Sequence, residues 1–195
     1  MSLCQMCQKN EVEIYVTTPQ GESMELCWEC NNQLAARYLG ITLEPFRNGI
    51  YEFAGIRNRN HKFMIHKIIH PMGIGYQAVE VTGNNTLGFR VEVMDDLDCN
   101  QSDLFNKLEA KISKTIFKRY LQTVIAPDGS KQTVLKDDEV VGRLEYDHNN
   151  ENHKVVVDGQ SFSWDDLGRM LNAYEGFDIN HIPGGQAVGQ YISRK

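Results

Sequence analysis

The sequence predicts an α+β protein, and three patterns along the chain lead to that prediction. Four cysteines form two Cys-x-x-Cys pairs within the first thirty residues. Alternating apolar and polar residues then indicate an antiparallel β-meander, and later stretches with apolar residues at helical spacing indicate helices. We expect four segments: a cysteine-rich unit at 1–40, a β-meander covered by a helix at 45–122, a smaller acidic α/β segment at 138–182, and a tail at 183–195.

The cysteine-rich unit has the composition of a metal-bound finger. Cys4 and Cys7 form one Cys-x-x-Cys motif, and Cys27 and Cys30 form the other. Each motif bends the backbone into a zinc knuckle, and two such knuckles complete the four-sulfur tetrahedral shell that zinc accepts. A full shell leaves no open position, so the pattern predicts one structural Zn²⁺ that stabilises a unit too small to fold alone. Iron in a rubredoxin-like site, two disulfides, or four free thiols are the alternatives.

Between the two pairs the chain reads as a hairpin. Val12, Ile14 and Val16 alternate as in a strand, Thr18 to Glu22 carry turn residues, and a second strand is expected around Met24 to Leu26. After Cys30, apolar residues at helical spacing predict a helix that ends at Gly40. The apolar positions of this helix are Leu34, Ala35, Tyr38 and Leu39.

The order of knuckle, hairpin and second knuckle opening a helix resembles a treble-clef zinc finger. The stretch CQMCQKNEVEIYVTTPQGESMELCWEC is similar to the N-terminal modules of bacterial McsA-type and ClpX-type proteins. That resemblance covers about 40 residues and implies a bacterial protein in which Cys4, Cys7, Cys27 and Cys30 bind metal and the finger serves protein contacts or dimerisation. The P-loop motif that follows the finger in ClpX-type proteins is absent from this sequence.

The middle segment predicts three strands and a helix. Phe63, Ile65 and Ile69 share one strand face, Tyr76 to Val81 and Phe89 to Val93 form two more strands, and turn sequences separate them. A helix is predicted to begin near Ser102, which is expected to cap it. The apolar stripe of this helix should cover the sheet. The stripe consists of Leu104, Leu108, Ile112, Ile116 and Tyr120, widened by Phe105 and Phe117.

The C-terminal segment is acidic, with 11 carboxylates against Arg143, Lys154 and Arg169 between positions 137 and 178. A linker-like stretch at 123–138 precedes it. Strands are predicted at 140–146 and 154–157 and again at FDINHI, and a helix is predicted over SFSWDDLGRMLNAYEG with Ser163 and Asp166 as a capping box.

Histidines and carboxylates give weaker signals. His61, His66 and His70 lie in one stretch, and His66 and His70 are expected on the strand face opposite Phe63. A metal or hydrolase site could be built around His66, His70 and a carboxylate, but no third ligand is assignable from the sequence. A solvated or hydrogen-bonded face is the favoured interpretation.

The carboxylate clusters fall in turns or a first helical turn, where negative charge is structurally favourable. They are Asp95, Asp96 and Asp98; Asp137, Asp138 and Glu139; and Asp165 and Asp166. Cys99 is interpreted as an ordinary thiol.

Four lysines on the predicted helix form its basic face. Lys107, Lys111, Lys114 and Lys118 are spaced four, three and four apart, with Arg119 beside them. They could contact phosphates, an acidic partner or the acidic C-terminal segment, or they are only the solvated side of an amphipathic helix. A net charge of −6 argues against bulk attraction to nucleic acid.

These observations favour a non-catalytic zinc-binding protein that acts as a protein-interaction or adaptor module and possesses no assembled catalytic set. A nucleic-acid-associated regulator that uses the finger and the basic face is the first alternative, and a metal-dependent hydrolase is the second. With 41% hydrophobic residues, no run of about 18 apolar residues and no secretory signal pattern, we expect a folded cytoplasmic protein without membrane contact. A protein partner is expected, and self-association is compatible with the sequence.

Overall fold

The computed structural model describes residues 2–17, 21, 23–56, 59–83, 88–147, 151–176, 178–182 and 189–193, and it confirms the α+β class. Its strands pair in antiparallel fashion within small sheets. The helices are α1 (Trp28–Leu39), α2 (Gln101–Phe117) and α3 (Trp164–Leu171). The strands are β1 (Ile14–Thr17), β2 (Ser23–Leu26), β3 (Gly49–Ala54), β4 (Asn60–His70), β5 (Gly73–Glu80), β6 (Arg90–Asp95), β7 (Leu121–Ile125), β8 (Lys131–Leu135), β9 (Glu139–Asp147), β10 (Asn152–Val157), β11 (Gln160–Phe162), β12 (Asp178–Ile182) and β13 (Gly189–Ser193).

The chain divides into two compact units. The first comprises Met1–Ala54, Asn60–Val79 and Val91–Ser113, and the second comprises Gly55–Arg59, Glu80–Arg90 and Lys114–Lys195. The N-terminal finger therefore belongs to the same unit as most of the β-meander. In the described part of the chain, no helix has the length and apolar character needed to cross a membrane.

The finger consists of the hairpin β1–β2 followed by α1. Ile14 pairs with Leu26 and Thr17 with Ser23, as the alternation predicts. The predicted turn at 18–22 lies largely outside the described residues. Helix α1 ends at Gly40, whose left-handed φ of 67° suits glycine. Its buried residues are Cys30, Asn32 and Ala36, whereas Tyr38, expected on the apolar face, is 58% exposed.

The four-stranded sheet of the first unit follows chain order, β3-β4-β5-β6. The three predicted strands form a meander as expected, and β3 is a further strand that the sequence analysis did not predict. Phe63 and Ile65 are fully buried and Ile69 is 7% exposed, so one face of β4 is the core face, as predicted. Gly73 begins β5 at a place where a Cβ would lie 2.1 Å from the carbonyl oxygen of Asp95. Only glycine permits that approach between the two strands.

Helix α2 lies against the core face of this sheet. The ring of Phe105 is 5.3 Å from that of Tyr76, and the Tyr76 hydroxyl donates to the Gln101 carbonyl oxygen. The apolar stripe is buried as predicted at Leu104, Leu108, Ile112 and Ile116, while Phe117 is 55% exposed. Tyr120, predicted as the last member of the stripe, lies beyond the end of α2.

The predicted cap of α2 was wrong. The side chain of Asn100 accepts the N–H of Asp103, whereas the Ser102 hydroxyl, one residue inside the helix, donates to Glu44. Serine and asparagine are both good caps, and the position of the first helical turn decided between them.

The second unit contains a five-stranded sheet in the order β11-β10-β9-β13-β12 and the hairpin β7–β8. Its apolar core consists of Leu135, Val140, Val155, Val157 and Leu167. The linker expected at 123–138 is instead mostly this hairpin, because Ala126 to Ser130 close a tight turn through two backbone hydrogen bonds of 2.8 Å. Gly189–Ser193, in the expected tail, form β13 between β9 and β12.

Local signals in the second unit were sufficient to define α3. Ser163 caps the helix, and its hydroxyl accepts a hydrogen bond from the Asp166 N–H. The Asp166 carboxylate in turn accepts a hydrogen bond from the Ser163 N–H, which confirms the capping box. The predicted final strand at FDINHI is confirmed as β12; Phe177 lies outside the described residues.

Candidate metal centre

Four cysteine sulfurs converge at the base of the finger. One ligand atom from each of Cys4, Cys7, Cys27 and Cys30 lies within 4.8 Å of the other three, and these cysteines can hold a metal ion. The Cys7 and Cys27 sulfurs are 3.9 Å apart, and all four thiols are free. A tetrahedral ion with bonds of about 2.3 Å to sulfur requires sulfur–sulfur distances of about 3.8 Å. The residues present therefore fit a tetrathiolate centre.

The backbone folds each pair into a knuckle. The Gln8 N–H donates to the Cys4 carbonyl oxygen over 2.8 Å, and Gln8 itself takes a left-handed φ of 54°. At the second pair, Cys27 is the last extended residue before α1, and the Asn31 N–H donates to its carbonyl oxygen. The first helical turn then carries Cys30 back toward Cys27. Each pair is thus positioned by local chain geometry.

Backbone N–H groups also point at the sulfurs. Burial opposes ionisation of the Cys4 thiol, but N–H groups of Cys7, Cys27 and Met6 outweigh it and lower the Cys4 pKa to about 6. N–H groups of Asn10 and Lys9 lower the pKa of Cys7. Burial raises the pKa values of Cys27 and Cys30. A divalent cation is the group that would hold all four as thiolates, because coordinating thiols are deprotonated.

A polar network leads outward from the sulfurs to the sheet. The Asn10 amide donates to the Cys27 sulfur over 3.6 Å and to the Glu29 carboxylate over 2.6 Å. Glu29 also accepts from the Asn48 amide, and Asn48 in turn accepts the backbone N–H of Lys67. Hydrogen bonds around metal ligands commonly fix ligand orientation. Here they join the cysteine cluster to β4.

Asn32 and Lys67 are functional candidates that the sequence analysis missed. The buried Asn32 side chain donates to the Lys67 carbonyl oxygen over 2.7 Å, so α1 and β4 are connected directly. Lys67 points into the core and is only 3% exposed. A lysine between Ile65 and Ile69 in an alternating strand is the signal that could have identified it, since its position places it on the core face.

The histidines lie as the alternation predicts, but their surroundings differ from the expectation. His66 is on the face opposite Phe63, where its ring stacks on Trp28 at a centroid distance of 4.9 Å. The finger helix, not solvent, thus covers His66. His70 is exposed and accepts the Met72 N–H, and His61 is buried on the core face. In the described residues, the cysteine group is where metal-ligating side chains converge.

Three lysines of the basic face engage oxygens of their own unit. In the first unit Lys107 pairs with Asp95 at 2.8 Å and Lys111 donates to the Glu92 carbonyl oxygen. In the second unit Lys118 pairs with Glu139 at 2.8 Å, an ion pair with the acidic segment. This pair raises the Lys118 pKa to about 12. These lysines are therefore less available to bind phosphate than their spacing in the sequence indicates.

The remaining acidic residues and the Cys99 thiol lie in surroundings that favour a structural role over a catalytic one. Asp95 forms an ion pair with Lys107, Asp166 belongs to the capping box of α3, and Asp137 lies near Lys136 on the surface. Burial, with the charges of Asp95 and Asp98, raises the pKa of the Cys99 thiol, which disfavours the nucleophilic thiolate.

Comparison with known families places two matches on this architecture. Residues 44–117 match a family described as Domain of unknown function (DUF7686), and residues 120–182 match Domain of unknown function (DUF7713). The first match spans β3 to α2, and the second spans β7 to β12. Neither match includes the four cysteines. No curated protein and no solved structure matches the chain.

Proposed function

We propose that the cysteine centre holds one structural Zn²⁺ and that the chain is a non-catalytic protein-interaction or adaptor module. The convergence of four sulfurs within 4.8 Å carries this proposal. Four protein ligands fill a tetrahedral shell, which leaves no position for substrate or water and is characteristic of structural rather than catalytic zinc. Iron also accepts four thiolates, so metal analysis of the purified protein is the first test.

The zinc proposal is tested on the full chain and a Cys27→Ser variant. We expect one zinc per chain in the first and its loss in the second, as measured by mass spectrometry of the metal after gel filtration. Cys99→Ser is the matched control, since Cys99 lies outside the cluster, and it should retain the metal. Iron in place of zinc, or a second ion that persists in Cys27→Ser, would contradict the proposal.

The finger carries exposed aromatic side chains suited to a protein contact. Tyr15 on β1 is 75% exposed and Tyr38 on α1 is 58% exposed. Tyrosines are enriched in protein interfaces because they contribute large contact area at low conformational cost. The bacterial McsA-type and ClpX-type modules that the finger resembles are expected to make such contacts. We place the partner surface on the finger, around these two residues.

Capture from native cells tests the interaction. Tagged wild-type protein should retain a partner that a Tyr15→Ser/Tyr38→Ser variant loses, while Ile125→Ser, equally exposed at 75% on β7, should retain it. Equal retention by the wild-type protein and both variants would refute the assigned surface. Binding of DNA or RNA that weakens steeply as salt rises would instead support the nucleic-acid alternative.

A further inference from the structure

The four-stranded sheet of the first unit has two edges that differ in how they are protected. Among the described residues the sheet runs from β3 to β6, so these two strands form its edges. An edge strand exposes backbone N–H and C=O groups to which another chain can pair, and proteins commonly block such edges with lysines. The surroundings of β3 and β6 therefore indicate where a further strand can be added.

A lysine of α2 blocks the edge formed by β6. The Phe89 carbonyl oxygen accepts the Glu80 N–H, so the odd-numbered residues of this strand direct their backbone groups toward β5. The Glu92 carbonyl oxygen consequently points to the outer edge, and there the Lys111 ammonium donates to it over 2.8 Å. A strand added to β6 would have to displace this lysine from the acceptor.

The outer edge of β3 presents an open row of backbone groups. Lys67 on β4 directs its N–H to the side chain of Asn48, next to β3, so the odd-numbered residues of β4 face β3. Their register partners, which face β4 in return, are Gly49, Tyr51 and Phe53. The residues between these direct their N–H and C=O groups to the outer edge, where the described part of the chain places no strand. They are Ile50, Glu52 and Ala54.

Apolar side chains flank this edge on both faces of the sheet. Ile50 is 56% exposed on the outer face. On the core face, the half-buried Tyr51 has its ring 5.7 Å from that of Phe105, and the Phe53 ring is 5.7 Å from that of Phe63. A strand added to β3 would cover these side chains as well as pair with the backbone. The edge therefore suits an extended strand that can pack side chains on both faces.

A second copy of β3 fits this edge in one register. Two antiparallel copies related by a two-fold axis at Tyr51 place Ile50 opposite Glu52 of the second copy, and these residues exchange backbone hydrogen bonds. Phe53 then lies opposite Gly49 of the second copy, where an added Cβ would meet open space. An aromatic ring beside a strand glycine is a favourable pair. An axis at Glu52 would instead bring two carboxylates face to face, which is unfavourable.

We propose that the chain forms a homodimer in which two β3 strands pair edge to edge, with the two-fold axis at Tyr51, and join the two sheets into one. The pairing strands are short, so the interface is smaller than that of a permanent dimer and a Kd of about 10 μM is expected. This surface is separate from the one placed around Tyr15 and Tyr38. Either interaction can therefore fail without affecting the other.

Amide hydrogen exchange of the full chain, resolved to single residues, tests the pairing. The Ile50 and Glu52 amides should exchange at least about fivefold more slowly at about 500 μM protein than at about 1 μM, because pairing protects them. The Tyr51 and Phe53 amides bond to β4 in both states and should not change. Equal exchange of the Ile50 and Glu52 amides at both concentrations would overturn the proposal, and so would slowing confined to β6.

Sedimentation of edge variants localises the dimer contact. Ile50→Lys places a charge on the β3 edge and should weaken dimerisation at least about tenfold. Met94→Lys is the matched control, since Met94 is an apolar residue on the other edge strand, 37% exposed, and it should dimerise like the wild type. Glu52→Pro removes an outward N–H without removing a bond to β4, and it should also be monomeric.

The outcomes that contradict the homodimer are distinct. A dimer that persists unchanged in both Ile50→Lys and Glu52→Pro would show that another surface forms it. A wild-type chain that stays monomeric at about 500 μM, with its Ile50 and Glu52 amides slowed only by a different protein, would assign the edge to that protein. If both variants fail to fold, the exchange pattern of the wild type still decides.

Discussion

The N-terminal finger and the C-terminal sheet achieve order by different means. The finger's small buried cluster is mostly sulfur, namely Cys4, Cys27 and Cys30 with Leu26. The core around the C-terminal sheet is aliphatic, with Leu135, three valines and Leu167. Short segments cannot bury enough apolar surface to offset chain entropy, whereas the longer one can. We therefore expect the finger to depend on a bound metal and the sheet on packing.

Loss of a cysteine ligand should give the largest effect. Cys27→Ser removes one of the four sulfurs of the proposed zinc centre, and structural zinc in small fingers contributes on the order of 10–16 kcal/mol at neutral pH. We expect amide protection to be lost across residues 23–39 and retained in β9 and β10, measured by hydrogen exchange. Equal loss of protection in both regions would show that the second unit also depends on the metal.

A core truncation should affect the other region. Leu167 is 4% exposed, so Leu167→Ala should destabilise the second unit by about 2–5 kcal/mol and leave the metal content unchanged. Urea unfolding followed by Trp164 fluorescence reports this change. Leu144→Ala, at a site 49% exposed, is the matched control with a small expected effect. Loss of zinc from Leu167→Ala would remove the distinction between the two regions.

Loss of the hydrogen bond between the finger helix and β4 should destabilise the protein by an intermediate amount. Asn32→Ala leaves the Lys67 carbonyl oxygen without its donor, which should cost about 1–3 kcal/mol. Hydrogen exchange in α1 and β4 measures it, and the exposed neighbour Gln33→Ala is the control. Unchanged exchange in Asn32→Ala would mean that the cysteine centre alone holds α1 in place.

The smallest effect should come from the Lys118–Glu139 pair, which lies at the surface. The folded-state pKa of Lys118, about 12, exceeds the usual value near 10.4. The stabilisation is therefore fully present below about pH 10 and is lost as the pH rises toward 12. Exposure limits it to at most about 1 kcal/mol, and Lys118→Met should remove that pH dependence from the unfolding free energy. Lys114→Met is the control.

Sequence periodicity predicted many of the helices and strands because the patterns that indicate them are local. The cysteine spacing predicted which four sulfurs come together, the alternation in β4 predicted which histidines share a face, and Ser163 with Asp166 predicted the start of α3. The alternation, the capping box and each Cys-x-x-Cys pair depend on residues within a few positions of one another. The β7–β8 hairpin was missed because Leu121 to Ile125 alternate weakly, and a charged stretch with a Pro-Asp-Gly turn suits a linker equally well.

The sequence by itself determined the two cysteine pairs, the meander and the helix that covers it, since repeat spacing and turn residues define these without reference to distant neighbours. Only the tertiary structure decided the surroundings of individual side chains. It buried Lys67 beside Gln101, placed His66 under Trp28, and brought Asn32 to the edge of β4. These contacts join residues about 34 to 38 positions apart in the chain, and no local pattern specifies which distant side chain will accept a hydrogen bond or cover a ring.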